Sequence, residues 1–214
     1  MTFFNTQNIA FEALGYQMSW LELVATGFGL LAVWLSAKEH IANWGFGLIN
    51  VLLSFMVFYQ FALYSDMLLQ IYFFATGVYG WWMWTRVTDT QESLVKITFL
   101  TRSQQMALAT SVVLGTLLLA QVIVRLPVWM PQYFPQPAAF PYVDTLIMVM
   151  SIFGNYLLTI KKIEAWILWV LVDLIAPFVY FKKGMLLFTF EFLVFLAIAT
   201  FALVNWYKIY KKQE

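Results

Sequence analysis

The chain predicts an all-α integral membrane protein of seven transmembrane helices, and three observations carry that prediction. The first is composition: 63% of the 214 residues are hydrophobic, 20% are aromatic and only 11% are charged. A soluble domain has about 45–50% apolar and about 25% charged residues. The second is the recurrence, along the whole chain, of charge-poor stretches long enough to cross a bilayer. The third is the presence of acidic residues, Asp173 and Glu191, inside two of those stretches, where no soluble surface explains them.

A helix crossing the hydrocarbon core needs about 20 residues, with a range of about 17–25. Stretches of that size fall at 19–37, 42–64, 66–86, 104–125, 142–160, 163–181 and 185–207. Lys38-Glu39-His40, Lys161-Lys162 and Lys182-Lys183 punctuate neighbouring spans, and the link from Thr85 to Arg102 is polar. Pro127, Pro131, Pro135, Pro137 and Pro141 predict a loop after the fourth span. Residues 1–18 contain no Lys or Arg, so they lack the basic start of a signal peptide and read as an interfacial segment, with Phe3, Phe4, Ile9 and Phe11 at the headgroups. The expected organisation is this segment (1–18), a first three-helix unit (19–86), a connector helix with its flanking loops (87–141), a second three-helix unit (142–207) and a short tail (208–214).

Lys and Arg set the orientation. With seven spans, Arg125, Lys182 and Lys183 fall on one side, and Lys38, Arg86, Lys96, Arg102, Lys161, Lys162, Lys208, Lys211 and Lys212 on the other. The richer side is expected in the cytoplasm, which puts the N-terminus outside and the C-terminus inside. A faint internal repeat accompanies the span count. A shift of 122 residues places Ile41 on Ile163, Trp44 on Trp166 and Trp84 on Trp206, and brings Asn50 within one position of Asp173. A shift of 118 places Met67-Leu68-Leu69 on Met185-Leu186-Leu187. An odd connector helix between such units makes them parallel, with substrate expected near the midplane between them.

An ionisable residue inside a span costs about 2.5–3.5 kcal/mol on insertion scales and usually faces a polar cavity or a partner. Asp173 follows Trp166 and Trp169 on one helix face, and Glu191 sits among Phe188 and Phe190. The alternative for each is a structural contact to a lysine or the backbone. Asn50 lies well inside the second span, where it and Asp173 are expected to face each other. Gln70, Phe73 or Phe74, Gly77 and Trp81 or Trp84 share a stripe in the third span, which also carries Tyr72, Thr76 and Tyr79. Asn155 follows Gly154 in the fifth span, and Trp44 is either a site residue or an interface anchor. The candidate substrate-binding set is therefore Trp44, Asn50, Gln70, Phe73, Tyr79, Asn155, Trp166, Trp169, Asp173 and Glu191.

A carboxylate among tryptophans suits a flat cationic ring, since a cation over an aromatic face gains about 0.5–2 kcal/mol. No cysteine is present, His40 is the single histidine, and net charge is +1, so thiolate metal sites, bis-histidine haem and a polyanion or nucleic-acid partner have no support. No nucleotide-binding loop or nucleophile–histidine pair occurs, so no cofactor and no enzymatic activity are expected. A sugar carrier and a membrane enzyme or assembly subunit are the competing classes.

At these same residues the chain resembles the Pnu vitamin transporters, which carry nicotinamide riboside or thiamine. The resemblance rests on Phe46-Gly-Leu-Ile-Asn50-Val, Leu68-Leu-Gln70, Tyr79-Gly-Trp-Trp-Met-Trp84 and Trp166-Ile-Leu-Trp169-Val-Leu-Val-Asp173. It implies a three-plus-one-plus-three fold related to the SWEET sugar transporters and a homotrimer in the bacterial inner membrane. It also implies facilitated diffusion, with the vitamin trapped by a cytoplasmic kinase. Asn50, Gln70, Trp169 and position 173 fall where that family is expected to hold substrate. Two departures stand out: Asp173 occupies a position where Asn is expected, and Ala202-Leu-Val-Asn-Trp206 lacks a glycine before the last Trp. Ionised Asp only accepts hydrogen bonds, whereas Asn pairs with both halves of a carboxamide. On that ground thiamine, whose aminopyrimidine offers an NH2, is the first expectation and nicotinamide riboside the alternative.

Overall fold

The computed structural model describes residues 4–13, 15–60, 64–86, 96–132, 137–138, 140–182 and 186–213, except for the side chains at 13, 16, 64–66, 68 and 186–188. Phe3, Pro135, Lys183 and part of the Met67/Met185 match therefore lie outside the described residues. The described residues form a two-stranded antiparallel hairpin, β1 (Ile9–Ala13) and β2 (Tyr16–Ser19), and then seven helices. These are α1 (Trp20–Ala37), α2 (Ala42–Gln60), α3 (Tyr64–Thr85), α4 (Arg102–Trp129), α5 (Pro141–Thr159), α6 (Glu164–Lys182) and α7 (Leu186–Gln213). Six of the seven are long and apolar enough to cross a membrane. The exception is α3, whose Gln70, Thr76 and Tyr- and Trp-rich sequence lower its hydropathy, so apolarity alone marks six crossings and not the expected seven.

Several boundaries depart from expectation for local reasons. The N-terminal segment is a hairpin turning at Gly15, whose φ of 79° suits glycine. It is tied to α2 by Thr6, whose N–H and hydroxyl donate to Gln60 Oε1, and by Gln60 Nε2, which donates to the Phe4 carbonyl. Ser19 and Glu22 form a capping box that starts α1, and Thr101 and Gln104 form another that starts α4. Pro127 does not lie in a loop: it sits inside the last turn of α4. Pro141 opens α5, at the position where its missing N–H costs nothing. The expected tail is the continuation of α7, which runs to Gln213.

Six helices pack in a closed order, α1 on α2, α2 on α3, α3 on α5, α5 on α6, α6 on α7 and α7 on α1, with α4 outside against α5. Exchanging α1, α2, α3 for α5, α6, α7 leaves this order unchanged. The correspondence extends to single backbone hydrogen bonds. After α1, Glu39 N–H donates to Ser36 and His40 N–H to Leu35; after α5, Lys161 N–H donates to Leu158 and Lys162 N–H to Leu157. Asn43 to His40 and Trp44 to Ile41 are matched by Ala165 to Lys162 and Trp166 to Ile163. Both turns place one non-glycine residue in the left-handed region, Glu39 (φ 58°) and Lys161 (φ 51°). Every pair is separated by the same 122 positions as the tryptophan match.

The core is centred where the two triplets meet. Trp44, Trp84, Trp206 and Trp166 form a continuous chain with ring centroids 5.4, 5.9 and 5.7 Å apart, two tryptophans from each triplet. Edge-to-face and tilted pairs at this separation add to the stabilisation from area burial. Trp84 Nε1 donates to the Thr159 carbonyl of the second triplet, and Trp206 Nε1 donates to the Ser36 carbonyl of the first. Gly80 makes the chain possible, because a Cβ there would meet the Trp44 ring at 2.3–2.6 Å. A buried indole cannot yield as a flexible side-chain tip would. Gly80→Ala is expected to destabilise the protein by about 1–3 kcal/mol, seen as a lower midpoint of thermal unfolding in detergent.

Candidate functional site

The pattern of inward-facing positions begins on α3. Gln70, Gly77, Gly80 and Trp84 are buried and Phe73 is partly so, whereas Phe74, Trp81 and Trp82 are exposed. Of the alternatives along this stripe, Phe73 and Trp84 face in and Phe74 and Trp81 face out. Tyr79 is not brought to the interior either: it lies on the outer face against Trp82, at 5.9 Å between centroids. Gln70 lines a cavity of about 220 Å³ between α2 and α3, together with Val51, Leu52, Phe55, Ile71 and Phe74.

The side chains between α3 and α5 are largely engaged with each other. Asn155 Nδ2 donates to Thr76 Oγ1 at 2.5 Å, and the Tyr72 hydroxyl donates to the Ile152 carbonyl at 2.8 Å. Asn155 thus sits at the junction of the triplets, held by α3. Asn50 does not point across at Asp173 as expected. Its Nδ2 donates to the Ala25 carbonyl of α1, at 2.8 Å, through a gap kept open by Gly29, where a Cβ would lie 2.9 Å from that nitrogen. The amide nitrogen of Asn50 is thus spent on Ala25 of the neighbouring helix and on Ser54 Oγ, at 3.4 Å, which leaves its Oδ1 as the group open to a ligand.

On α6 the expected grouping is partly realised. Trp166 and Asp173 are buried, at 2% and 3% exposure, and Trp169 is partly buried with its indole against Gly154 of α5. Trp166 turns into the tryptophan chain. Its Nε1 and that of Trp44 are buried and have no hydrogen-bond partner among the described residues. Trp44 is therefore a core residue and not an interface anchor. Asp173 likewise has neither hydrogen-bond nor ion-pair partner among the described residues, so the structural-contact alternative finds no contact. Glu191, on α7, is partly exposed.

A further feature of α6 escaped the sequence reading although its signal was plain. Pro177 lies inside the helix four residues after Asp173. Proline has no N–H, so the Asp173 carbonyl loses its intrahelical donor. A buried carboxylate and a backbone carbonyl that has lost its helical donor thus belong to the same residue. With Asp173 ionised, both groups accept hydrogen bonds and the carboxylate can balance a positive charge. No group of residues able to hold a metal occurs among the described residues.

The chain matches the family model described as nicotinamide mononucleotide transporter over residues 19–208. It is 38% identical to the nicotinamide riboside transporter PnuC of Escherichia coli, with 93% of this chain and 91% of that protein covered. It is 24% identical to the riboflavin/roseoflavin transporter RibM of Streptomyces davaonensis, over 92% of this chain and 89% of that one. The solved structure titled as the crystal structure of the vitamin B3 transporter PnuC superposes with a TM-score of 0.69 at 27% identity, covering 91% of this chain and 83% of that chain.

A partnerless buried carboxylate lowers stability unless a ligand supplies the partner. Asp173→Asn is expected to raise the unfolding midpoint of the unliganded protein, by about 2–4 °C for each kcal/mol gained, as measured by differential scanning fluorimetry. A drop of similar size would reveal a structural role instead. With its helices, its tryptophan-lined junction and its full-length relatives in view, the chain is a multi-pass membrane protein that belongs to the Pnu family of small-molecule vitamin transporters.

Proposed function

We propose that this chain carries nicotinamide riboside down its concentration gradient, along a path between the two helix triplets, with Asp173 as the counter-ion of the pyridinium ring. The observation that carries the reading is the 38% identity to a nicotinamide riboside transporter over nearly the whole length of both chains. The thiamine expectation gives way to it, because the named relatives are riboside or riboflavin transporters. The carboxamide oxygen is the one group of the riboside that an acceptor cannot pair. Nicotinamide riboside also offers a carboxamide NH2 and ribose hydroxyls, all of which suit an acceptor-only corner at Asp173 and its free carbonyl. Riboflavin has no fixed positive charge and would leave Asp173 uncompensated.

The matched turns and the exchange-symmetric packing support two parallel three-helix units related by a two-fold along the membrane normal, with α4 as connector. The Lys and Arg distribution supports an N-terminus outside and a C-terminus in the cytoplasm of a bacterial inner membrane. The expected homotrimer and the trapping of the vitamin by a cytoplasmic kinase complete the reading. No coupling motif is present, so the gradient of the vitamin itself drives uptake.

Three measurements test these statements. Calorimetric titration should give riboside binding by the wild type and at least tenfold weaker binding, about 1.4 kcal/mol, by Asp173→Asn; thiamine binding without riboside binding would refute the assignment. Riboside uptake into liposomes should stop at equal concentrations on both sides, and accumulation driven by an imposed pH gradient would show coupling. A C-terminal alkaline phosphatase fusion should be inactive and a green fluorescent protein fusion bright; the opposite pattern inverts the topology.

A further inference from the structure

The turns after α1 and after α5 are matched in backbone but carry opposite charges at the equivalent positions Glu39 and Lys161. Lys161 Nζ lies 2.6 Å from Glu39 Oε1, so equivalent positions of the two triplets meet each other. The Lys161 side chain is 5% exposed and that of Glu39 is 22% exposed. Lys161 also sits 4.5 Å from the centroid of the Trp84 ring, so the ion pair lies directly on the tryptophan chain. The two indole-to-carbonyl bonds between the triplets, from Trp84 to Thr159 and from Trp206 to Ser36, are at this same end.

The two turns differ in what holds them. The α5–α6 turn is strapped by the segment before α4: Thr98 N–H donates to the Lys161 carbonyl, Ile163 N–H donates to the Thr98 carbonyl, and Lys162 Nζ donates to Thr98 Oγ1. Glu164 accepts from Leu100 N–H and Gln105 Nε2, fixing the start of α6 to the start of α4. At the corresponding positions of the α1–α2 turn stand His40 and Ala42, which have neither the ammonium nor the carboxylate that hold this strap.

We propose that Glu39 and Lys161 form the latch of a gate that closes the transport path at the end bearing the α1–α2 and α5–α6 turns. Lys161 is the fixed half, held by the strap, and Glu39 is the moving half. The tryptophan chain is the wall that parts when the latch opens. Glu39 is the partner nearer water, so separation returns its carboxylate to solvent. The inference rests on the proposed path between the triplets and not on which vitamin uses it.

The chain contains no cysteine, which makes it a ready background for thiol chemistry. In Glu39→Cys/Lys161→Cys, a short reducible bis-methanethiosulfonate linker should lower riboside exchange in liposomes at least tenfold, and reductant should restore it. Exchange by fully linked protein at the rate of the reduced protein would overturn the latch. A second measurement needs no transport. Ser36→Cys replaces a residue buried behind the tryptophan chain. Its reaction with a membrane-impermeant maleimide should be at least tenfold faster when Lys161→Gln is added. The exchanged pair Glu39→Lys/Lys161→Glu should return it to the slow rate, which separates a latch from general damage to the fold. An unchanged rate in Lys161→Gln refutes the proposal. Failure of the reduced double-cysteine protein to exchange riboside counts against the substrate and leaves the maleimide rates to decide the latch.

Discussion

The structure depends on one junction, where two triplets of helices bring equivalent corners of the chain together. Four tryptophans, two indole-to-carbonyl bonds and one partly buried ion pair fill it. In a membrane, apolar surface gains little by leaving lipid, so helices are held by close packing and by polar groups that find each other. That explains why the junction consists of large rings and a few hydrogen bonds. It also explains Gly80, which lets the Trp44 ring lie against the backbone of α3. Removing the partner of an enclosed charge is costly, while a well-packed apolar replacement of both is often neutral. A pair kept under those terms is better suited to specifying an arrangement than to stabilising it.

Backbone strain is concentrated at the same place. Glu39 and Lys161 hold left-handed φ values that would suit glycine. Strain of this kind persists only where the surroundings over-determine the conformation, and it clusters at switch regions. Here each strained residue supplies one half of the ion pair. A glycine at either turn would relieve the backbone and remove the charge, so the conformation and the contact are bound together.

Much of this was legible in the chain. The helices follow from charge-poor length, and the tryptophan match at a shift of 122 picks out the four rings that meet. The Glu39–Lys161 contact lies at that same shift, yet it escaped notice because a repeat is sought by likeness and these two positions are alike only in backbone. Their side chains are complementary because they touch. Pro127 misled because proline reads as a breaker, although the last turn of a helix tolerates a lost bond. Asn50 misled because depth in a span says nothing about direction, and the vacancy at Gly29 turned its amide toward α1. Tyr79 misled for the same reason: a polar aromatic in a span can face either way, and the stripe of Gln70, Gly77 and Trp84 leaves it outside.

Asp173 and the junction together constrain how the proposed downhill uptake works. A carrier with no energy source gains nothing from holding its cargo tightly in every state, since a ligand shifts an equilibrium only by its differential affinity for the states. The unliganded protein already bears an uncompensated carboxylate at Asp173 and, four residues on, a proline that frees a carbonyl. A cationic ligand removes that penalty in whichever state encloses it most fully. The enclosed state is therefore favoured by the cargo, and the empty carrier favours states in which water reaches the acidic corner. On this account the partnerless aspartate links occupancy to closure. In the proposed gate, the ion pair at the end of the helices, already satisfied without cargo, sets which end of the path is shut.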